Sequence, residues 1–305
     1  MVIVAMNILQ RIRNYQIRNR VYKKPISLVV EPTNCCNLNC PFCLVGTQNI
    51  REKTDHNQME RPFGEMDFSL FQHICDQAKA FGIERMQLHF QGEPFVHPRI
   101  IDMLAFSKNR GFYVQIFTNG LAFRDNMIDR LAQTGIDMIR FSIDGATEET
   151  YGKNRVGGNL RKVLRNMEAV ARSCKKTTVE WQFIAMKNNE HEIPLAKEMA
   201  RKLKVHFFVK TFAPTIPELI PKNPQYIRQY KPKPCKDIYF QTCIYWNGDV
   251  VPCCYDVEGS QIMGNVGLST LKEIWESEKY RAFREKVDRV DDKDIKICQD
   301  CLRWK

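Results

Sequence analysis

The chain lacks an export signal. Its opening, Met1-Val2-Ile3-Val4-Ala5-Met6, has neither a basic leader nor a small-residue cleavage site. It also lacks a long hydrophobic run, since no stretch approaches the ~18 apolar residues needed to span a bilayer. Acid is missing from one end: residues 1–24 carry Arg11, Arg13, Arg18, Arg20, Lys23 and Lys24 and no Asp or Glu. These absences argue against a secreted disulfide scaffold and a membrane-spanning protein, and they set a cytoplasmic location as the expectation.

Cysteine is plentiful, with 12 in 305 residues. Thiols in an unexported chain point to metal rather than to disulfides. The apolar fraction of 44% is that of a globular protein able to bury a sizeable core. The net charge of +11 suits anionic partners such as RNA, anionic lipid or phosphorylated substrates. Part of that charge is local. Ile8, Leu9, Ile12 and Tyr15 recur at near-helical spacing, so residues 1–25 read as a basic helix. Such a helix caps the fold with a solvated basic face or touches a membrane surface.

The densest chemical signal is Glu31-Pro32-Thr33-Asn34-Cys35-Cys36-Asn37-Leu38-Asn39-Cys40-Pro41-Phe42-Cys43. Cys36, Cys40 and Cys43 stand at C-x3-C-x2-C. Three soft thiolates this close wrap one corner of an iron–sulfur cubane and leave its fourth iron open to a small molecule. A buried or disulfide-linked cysteine cluster is the bland alternative. Cys35 is an extra thiol beside the first of the three.

Apolar periodicity then alternates between strand and helix. Strands are expected at 26–30, 85–90, 113–117, 138–143, 178–185 and 205–209. Helices are expected at 68–81, 98–109, 125–134, 160–173 and 190–203, with residues 44–66 polar and irregular. This alternation argues an α/β fold with a parallel sheet, six units of a (β/α)8 barrel that stops two units short. Sites in such folds form at the carboxyl ends of strands. The motifs Gln91-Gly92-Glu93-Pro94, Thr118-Asn119-Gly120 and Ser142-Ile143-Asp144-Gly145 all sit at expected strand ends. Each is also compatible with an ordinary turn. Lys187 and Lys210 close the fifth and sixth strands, as anion binders or as solvated lysines. His89 and His97 flank the Gly-Glu-Pro motif and are read as structural.

Residues 211–234 hold six of the 14 prolines and read as a linker. Beyond it come Cys235, a hairpin turning at Asn247-Gly248, Cys253 and Cys254, helices near 271–275 and 280–287, and Cys298-x2-Cys301. Four thiolates from a hairpin and a terminal C-x2-C enclose a metal, and zinc accepts four cysteines as readily as iron–sulfur does. Cys75 and Cys174 read as plain thiols of helices.

The cysteine spacing, its Thr33-Asn34 context, Phe42 and the Gly-Glu-Pro motif together resemble the radical S-adenosylmethionine (SAM) family. That resemblance implies a partial (β/α)6 TIM-like barrel at 26–210. Its [4Fe-4S] cluster, held by Cys36, Cys40 and Cys43, binds SAM on the open iron and cleaves it to a 5'-deoxyadenosyl radical that abstracts a substrate hydrogen. It further implies that Gly92 and Glu93 hold the SAM methionine end, that Ser142 and Asp144 contact ribose and carboxylate, that Arg155 pairs with the carboxylate, and that Phe42 lies beside the adenine. The sequence departs from the family's Gly-Gly-Glu-Pro at Gln91.

Residues 235–305 resemble the SPASM/twitch extension of the same family. The match rests on Gly248-x4-Cys253, Gly264-Asn265-Val266 and Leu271-x2-Ile274-Trp275. By that match Cys235, Cys253, Cys298 and Cys301 hold a second, auxiliary [4Fe-4S] cluster, with Cys243 or Cys254 as substitutes. With only Leu302–Lys305 beyond the last cysteine, the one-cluster twitch form is expected.

Single-cluster members resemble aminocyclitol alcohol dehydrogenases, so oxidation of a small molecule or sugar derivative is the main expectation, with the auxiliary cluster as electron acceptor. Only about 25 residues precede the first strand, too few for a leader-binding domain, which weighs in the same direction. Peptide or protein modification, including thioether formation, is the alternative, followed by RNA modification. A reducing partner such as flavodoxin or ferredoxin is implied, and DNA is not.

Overall fold

The computed structural model describes residues 23–49, 61–124, 126–213, 216–228, 235–288, 295–299 and 301. The basic helix expected at residues 1–25 lies almost wholly outside the described residues.

Six strands run in parallel and in sequence order: β1 (Ser27–Val30), β2 (Arg85–Leu88), β3 (Tyr113–Thr118), β4 (Met138–Ser142), β5 (Thr178–Ile184) and β6 (His206–Lys210). This is the expected α/β fold of six units. Three further strands continue the same sheet past β1: β7 (Gln241–Ile244), β8 (Asp249–Val251) and β9 (Gly264–Asn265). The order across the sheet is β6-β5-β4-β3-β2-β1-β7-β8-β9. β7 pairs in parallel with β1, and β8 and β9 return antiparallel. The cysteine-rich C-terminal segment is therefore an extension of the barrel sheet and shares its ladder.

Strands β2, β3 and β4 alternate in burial. Met86 and Leu88, Val114 and Ile116, and Ile139 and Phe141 are buried with the helices in one apolar cluster. Their neighbours Gln87, Gln115, Arg140 and Glu180 are only half-buried on the opposite, inner face. A parallel sheet covered by helices on both faces reads as unbroken apolar strands. Here one face stays polar because helices cover only the other. Trp181 and Trp275 are the largest fully buried side chains among the described residues, and the Trp181 indole N–H donates to Ile143 O at 2.8 Å. Burying a side chain of this class stabilises by roughly 1.5–3 kcal/mol.

Several helices begin where a side chain caps them. Asp67 accepts from Ser69 N at 2.7 Å and starts Phe68–Ala80. Asn159 accepts from Lys162 N at 2.8 Å and starts Leu160–Ser173. Thr270 and Glu273 form a capping box at the head of Leu271–Glu276. Four short helices among the described residues go beyond the apolar periodicity: Leu44–Asn49, Glu148–Asn154, Lys296–Gln299 and Asp237–Phe240. Each is too brief to show a full apolar repeat. The last lies directly ahead of β7, the first strand of the hairpin.

One buried ion pair fastens the extension to the barrel. Glu31, fully buried at the end of β1, takes both Arg61 Nη atoms at 2.9 and 3.0 Å. Arg61 Nε donates to Val257 O at 2.8 Å, and its guanidinium lies 3.5 Å from the Tyr245 ring centre. Truncating one member of such a pair strands the other charge. Arg61→Leu is expected to destabilise by about 3–5 kcal/mol, whereas the double variant Glu31→Gln/Arg61→Leu loses less. Denaturant unfolding of the variants measures this, and an unchanged midpoint for Arg61→Leu would remove the pair from the account.

Candidate active site

The cysteine loop leaves β1 and is sewn down before it reaches its thiols. Thr33 Oγ1 donates to Gly64 O at 2.7 Å and accepts from Cys35 N at 3.0 Å. Asn34 Oδ1 accepts from Gly64 N at 2.8 Å, and its Nδ2 donates to Pro62 O at 2.9 Å. The Thr-Asn pair thus spends its polar atoms on the chain at 62–64. A Cβ on Gly46 would stand 2.4 Å from Cys40 N, so the short helix after Cys43 packs directly on the loop's backbone.

Gly92 and Glu93 lock the other side. Glu93 N donates to Cys35 O at 2.8 Å. The Glu93 carboxylate, 2% exposed, accepts from Thr118 Oγ1 at 2.6 Å, Asn119 N at 2.6 Å and Phe95 N at 3.1 Å. Burial nonetheless pushes its pKa above the usual carboxylate range, against those donors. Gly92 has φ +76°, and a Cβ there would stand 2.6 Å from both Cys35 O and Thr33 O. The close approach that this glycine permits is to the cysteine loop itself.

The strand ends bring polar groups to the thiols. Asn119 Nδ2 lies 3.8 Å from Cys36 Sγ and donates to Asn37 Oδ1 at 2.8 Å. Arg155 is the C-cap residue in the bend that follows the short helix Glu148–Asn154. Its Nη1 lies 3.7 Å from Cys40 Sγ, and its Nε donates to Asp144 Oδ2 at 2.8 Å. Its guanidinium lies 5.4 Å from the Phe42 ring centre. Asp144 is fully buried, and its other oxygen accepts from Ile184 N at 2.7 Å. Ser142 is half-buried at the end of β4. Cys36, Cys40, Cys43, Phe42, Glu93, Asp144 and Arg155 are thus joined through one connected set of contacts at the carboxyl ends of β1 to β4. Periodicity gave no sign of two further groups. The hydroxyl of Tyr151 and Oδ1 of Asn188 are buried without a hydrogen-bond partner in this region. Their only sequence signal is proximity to Arg155 and to the end of β5.

This setting fits a cluster and SAM. The donors are three soft thiols, and unpartnered polar atoms lie beside Arg155. Burial, then the Glu93 charge, pushes Cys36 up to about 12, and burial raises Cys40 as well. A metal binding here must displace those protons.

The second cysteine set converges too. Cys235, Cys253, Cys254, Cys298 and Cys301 line one small cavity with Ile238, Phe283 and Ile297. Alternation along a strand would put Cys254 on the opposite face from Cys253, but the strand ends at Val251 and alternation does not govern the bend that follows. Cys243 is fully buried on β7 among Val29, Tyr245 and Val251, and is not among the residues lining that cavity. Among the described residues no three Cys, His, Asp or Glu side chains close tightly enough on one point for a single metal ion. A cubane gives each thiolate a different iron, so its ligands stand farther apart than those of a lone zinc.

Gly92→Ala is expected to lower the iron held by the first site from about four per chain to near none while circular dichroism is unchanged. Gly111 also has positive φ, +74°, but no backbone stands within 4 Å of its Cβ position. Gly111→Ala is expected to cost only about 1–2 kcal/mol of stability and no iron. Equal iron retention by the two variants would contradict the packing role given to Gly92.

Comparisons with known proteins fit this geometry. The chain is 28% identical over 307 aligned positions to a tungsten-containing aldehyde ferredoxin oxidoreductase cofactor-modifying protein of Pyrococcus furiosus, covering 84% of this chain and 82% of that protein. It is 23% identical to a PqqA peptide cyclase of Streptomyces rochei, covering 85% and 78%. Against the PqqA peptide cyclase of Gluconobacter oxydans it is 27% identical, but the match covers 59% of this chain and only 47% of that cyclase. Among solved structures, Streptococcus suis SuiB bound to precursor peptide SuiA shares the fold with a TM-score of 0.71 at 15% identity, over 92% of this chain and 73% of that one. BtrN in complex with AdoMet and 2-DOIA shares it with a TM-score of 0.59 at 19% identity, over 92% and 93%. The radical SAM superfamily matches residues 30–193, and the SPASM iron–sulfur cluster-binding domain matches residues 235–302. The chain belongs to the radical SAM superfamily and carries a SPASM domain that extends its barrel sheet.

Proposed function

We propose that this radical SAM enzyme modifies a peptide or protein, abstracting a hydrogen from a residue held against the inner face of the sheet. The observation that carries the reading is the open side of that sheet. β6 is an edge strand, and its residues His206, Phe208 and Lys210 are exposed. A closed eight-stranded barrel admits a substrate only through its mouth. Among the described residues the sheet ends at β6, and an edge strand offers backbone groups with which an extended chain could pair. The inner face beside it presents Gln115, Arg140, Glu180 and Gln182, groups that suit amides and charged side chains. The peptide cyclases and the SuiB–SuiA complex named above support the same side of the choice.

In this reading Cys36, Cys40 and Cys43 hold the cluster that supplies the electron for SAM cleavage. Arg155, fixed by Asp144, would pair with the SAM carboxylate. Tyr151, Asn188 and Ser142 would offer further polar contacts, and Phe42 would pack beside the adenine. Cys235, Cys253, Cys298 and Cys301 hold the auxiliary cluster, and a flavodoxin or ferredoxin is the electron donor. Small-molecule oxidation is the second reading, favoured by the near-complete mutual coverage with BtrN.

Deuterium transfer separates the two. Anaerobically reconstituted enzyme, given SAM, reductant and a pool of perdeuterated short peptides, is expected to place deuterium in 5'-deoxyadenosine. Deuterated aminocyclitols are expected to give none. Transfer from the cyclitols alone would overturn the peptide reading. Cys298→Ala is expected to drop iron from about eight to about four per chain and to keep SAM cleavage. Unchanged iron would remove Cys298 from the auxiliary ligand set.

A further inference from the structure

The inner face of the sheet carries a cluster of charge that the SAM site does not use. The ladder sets Phe117, Arg140 and Glu180 side by side across β3, β4 and β5. Arg140 Nε donates to Glu180 Oε2 at 2.7 Å, and its guanidinium lies 4.5 Å from the Phe117 ring and 5.4 Å from that of Phe208. His89, one residue past β2, stacks on Phe117 with ring centres 4.0 Å apart. Its Nδ1 is buried and has no hydrogen-bond partner. Lys210 ends β6 opposite Ile184 of β5. Among the described residues its ammonium has neither a hydrogen-bond nor an ion-pair partner.

The charges do not cancel. Asp144 is neutralised by Arg155 at 2.6 Å, and Glu180 by Arg140 at 2.7 Å. Lys210 remains as an uncompensated cation, and Arg228, whose guanidinium donates to the Tyr255 hydroxyl, adds a second at the rim. Burial lowers the pKa of Lys210, and Arg140 and Arg228 lower it further against Asp144 and Cys254. Burial, then Lys210 and Arg140, pushes His89 down to about 3, so its imidazole is neutral and has an N–H to donate. A buried unpartnered ring nitrogen is costly to maintain unless a ligand meets the ring, and the exposed Lys210 sets an unpaired cation near it.

We propose that Lys210 and His89, backed by Arg140, form a subsite that binds a carboxylate of the substrate. The ammonium supplies the charge, the imidazole supplies a neutral donor, and Phe117 and Phe208 supply an apolar wall for the methylenes that carry the carboxylate. This deepens the peptide reading and rests on it for the identity of the ligand as a peptide. The carboxylate belongs to an acidic side chain or to a chain terminus.

Calorimetry on the reconstituted, SAM-loaded enzyme tests it with three probes. N-acetyl-glutamate α-amide carries only the side-chain carboxylate, N-acetyl-glycine only the terminal one, and N-acetyl-glutamine α-amide neither. One of the two acids is expected to bind about ten- to a hundredfold tighter than the amide, as an ionic hydrogen bond requires. Which acid wins identifies the source. Lys210→Met is expected to abolish that preference, with the auxiliary-cluster EPR signal unchanged, and Lys187→Met to keep it. Equal binding of all three probes, binding of none, or a preference that survives Lys210→Met would overturn the subsite. A shifted auxiliary-cluster signal in Lys210→Met would overturn it too, since Lys210 would then serve the cluster. If the acid preference holds while no peptide donates deuterium, the subsite stands and the peptide reading falls.

Discussion

The Glu93 carboxylate is the contact on which the catalytic end depends. It is buried, it accepts from the end of β3 at Thr118 and Asn119, and its own backbone N–H holds Cys35. One residue thereby fixes the spacing between the cysteine loop after β1 and the strand ends beside it. A buried carboxylate needs its donors, because each unmet hydrogen bond there costs about 1–3 kcal/mol. The geometry is consequently over-determined. Moving the loop uncovers Glu93, and moving β3 strips it of two donors. Gly92 makes the arrangement sterically feasible, since any side chain there would meet the carbonyls of Thr33 and Cys35.

A second brace works at longer range. Glu31 and Arg61 tie the end of β1 to Val257 and Tyr245 in the C-terminal extension. Because β7 pairs directly with β1, the ladder and the ion pair hold the two cysteine sets in one rigid frame. Between them lies the polar inner face. Most of its charges are matched in pairs, Asp144 with Arg155 and Glu180 with Arg140, and the residual positive charge gathers at Lys210. Chemistry that moves electrons and hydrogens benefits from such preorganised groups, which need not rearrange during the reaction.

Much of this was legible in the sequence, for physical reasons that can be named. Strands β1 to β6 follow from short β-rich runs between amphipathic helices, and Leu160–Ser173 matches the span that apolar periodicity predicts. The loop cysteines were legible because chelation demands close spacing. The gathering of Cys235 with Cys298 and Cys301 was legible only through family resemblance, since about sixty residues separate them and no local rule joins them. Arg61 was missed because a polar, irregular stretch gives no sign that one of its arginines is buried against Glu31. Tyr151 and Asn188 were missed because an unpaired polar atom is a property of packing. The joining of β7 to β1 was missed because a parallel pairing across more than two hundred residues leaves no trace in either strand. The exposure of β6 likewise appears only once its neighbours are placed.

If two cysteine sets on one sheet hold two cubanes, only the one at Cys36, Cys40 and Cys43 has an iron free for SAM. Mössbauer spectroscopy of protein reconstituted with iron-57, recorded with and without SAM, tests this. Two [4Fe-4S] clusters are expected, with one iron of a single cluster changing its isomer shift when SAM is added. A single cluster, or two clusters that both ignore SAM, would contradict it.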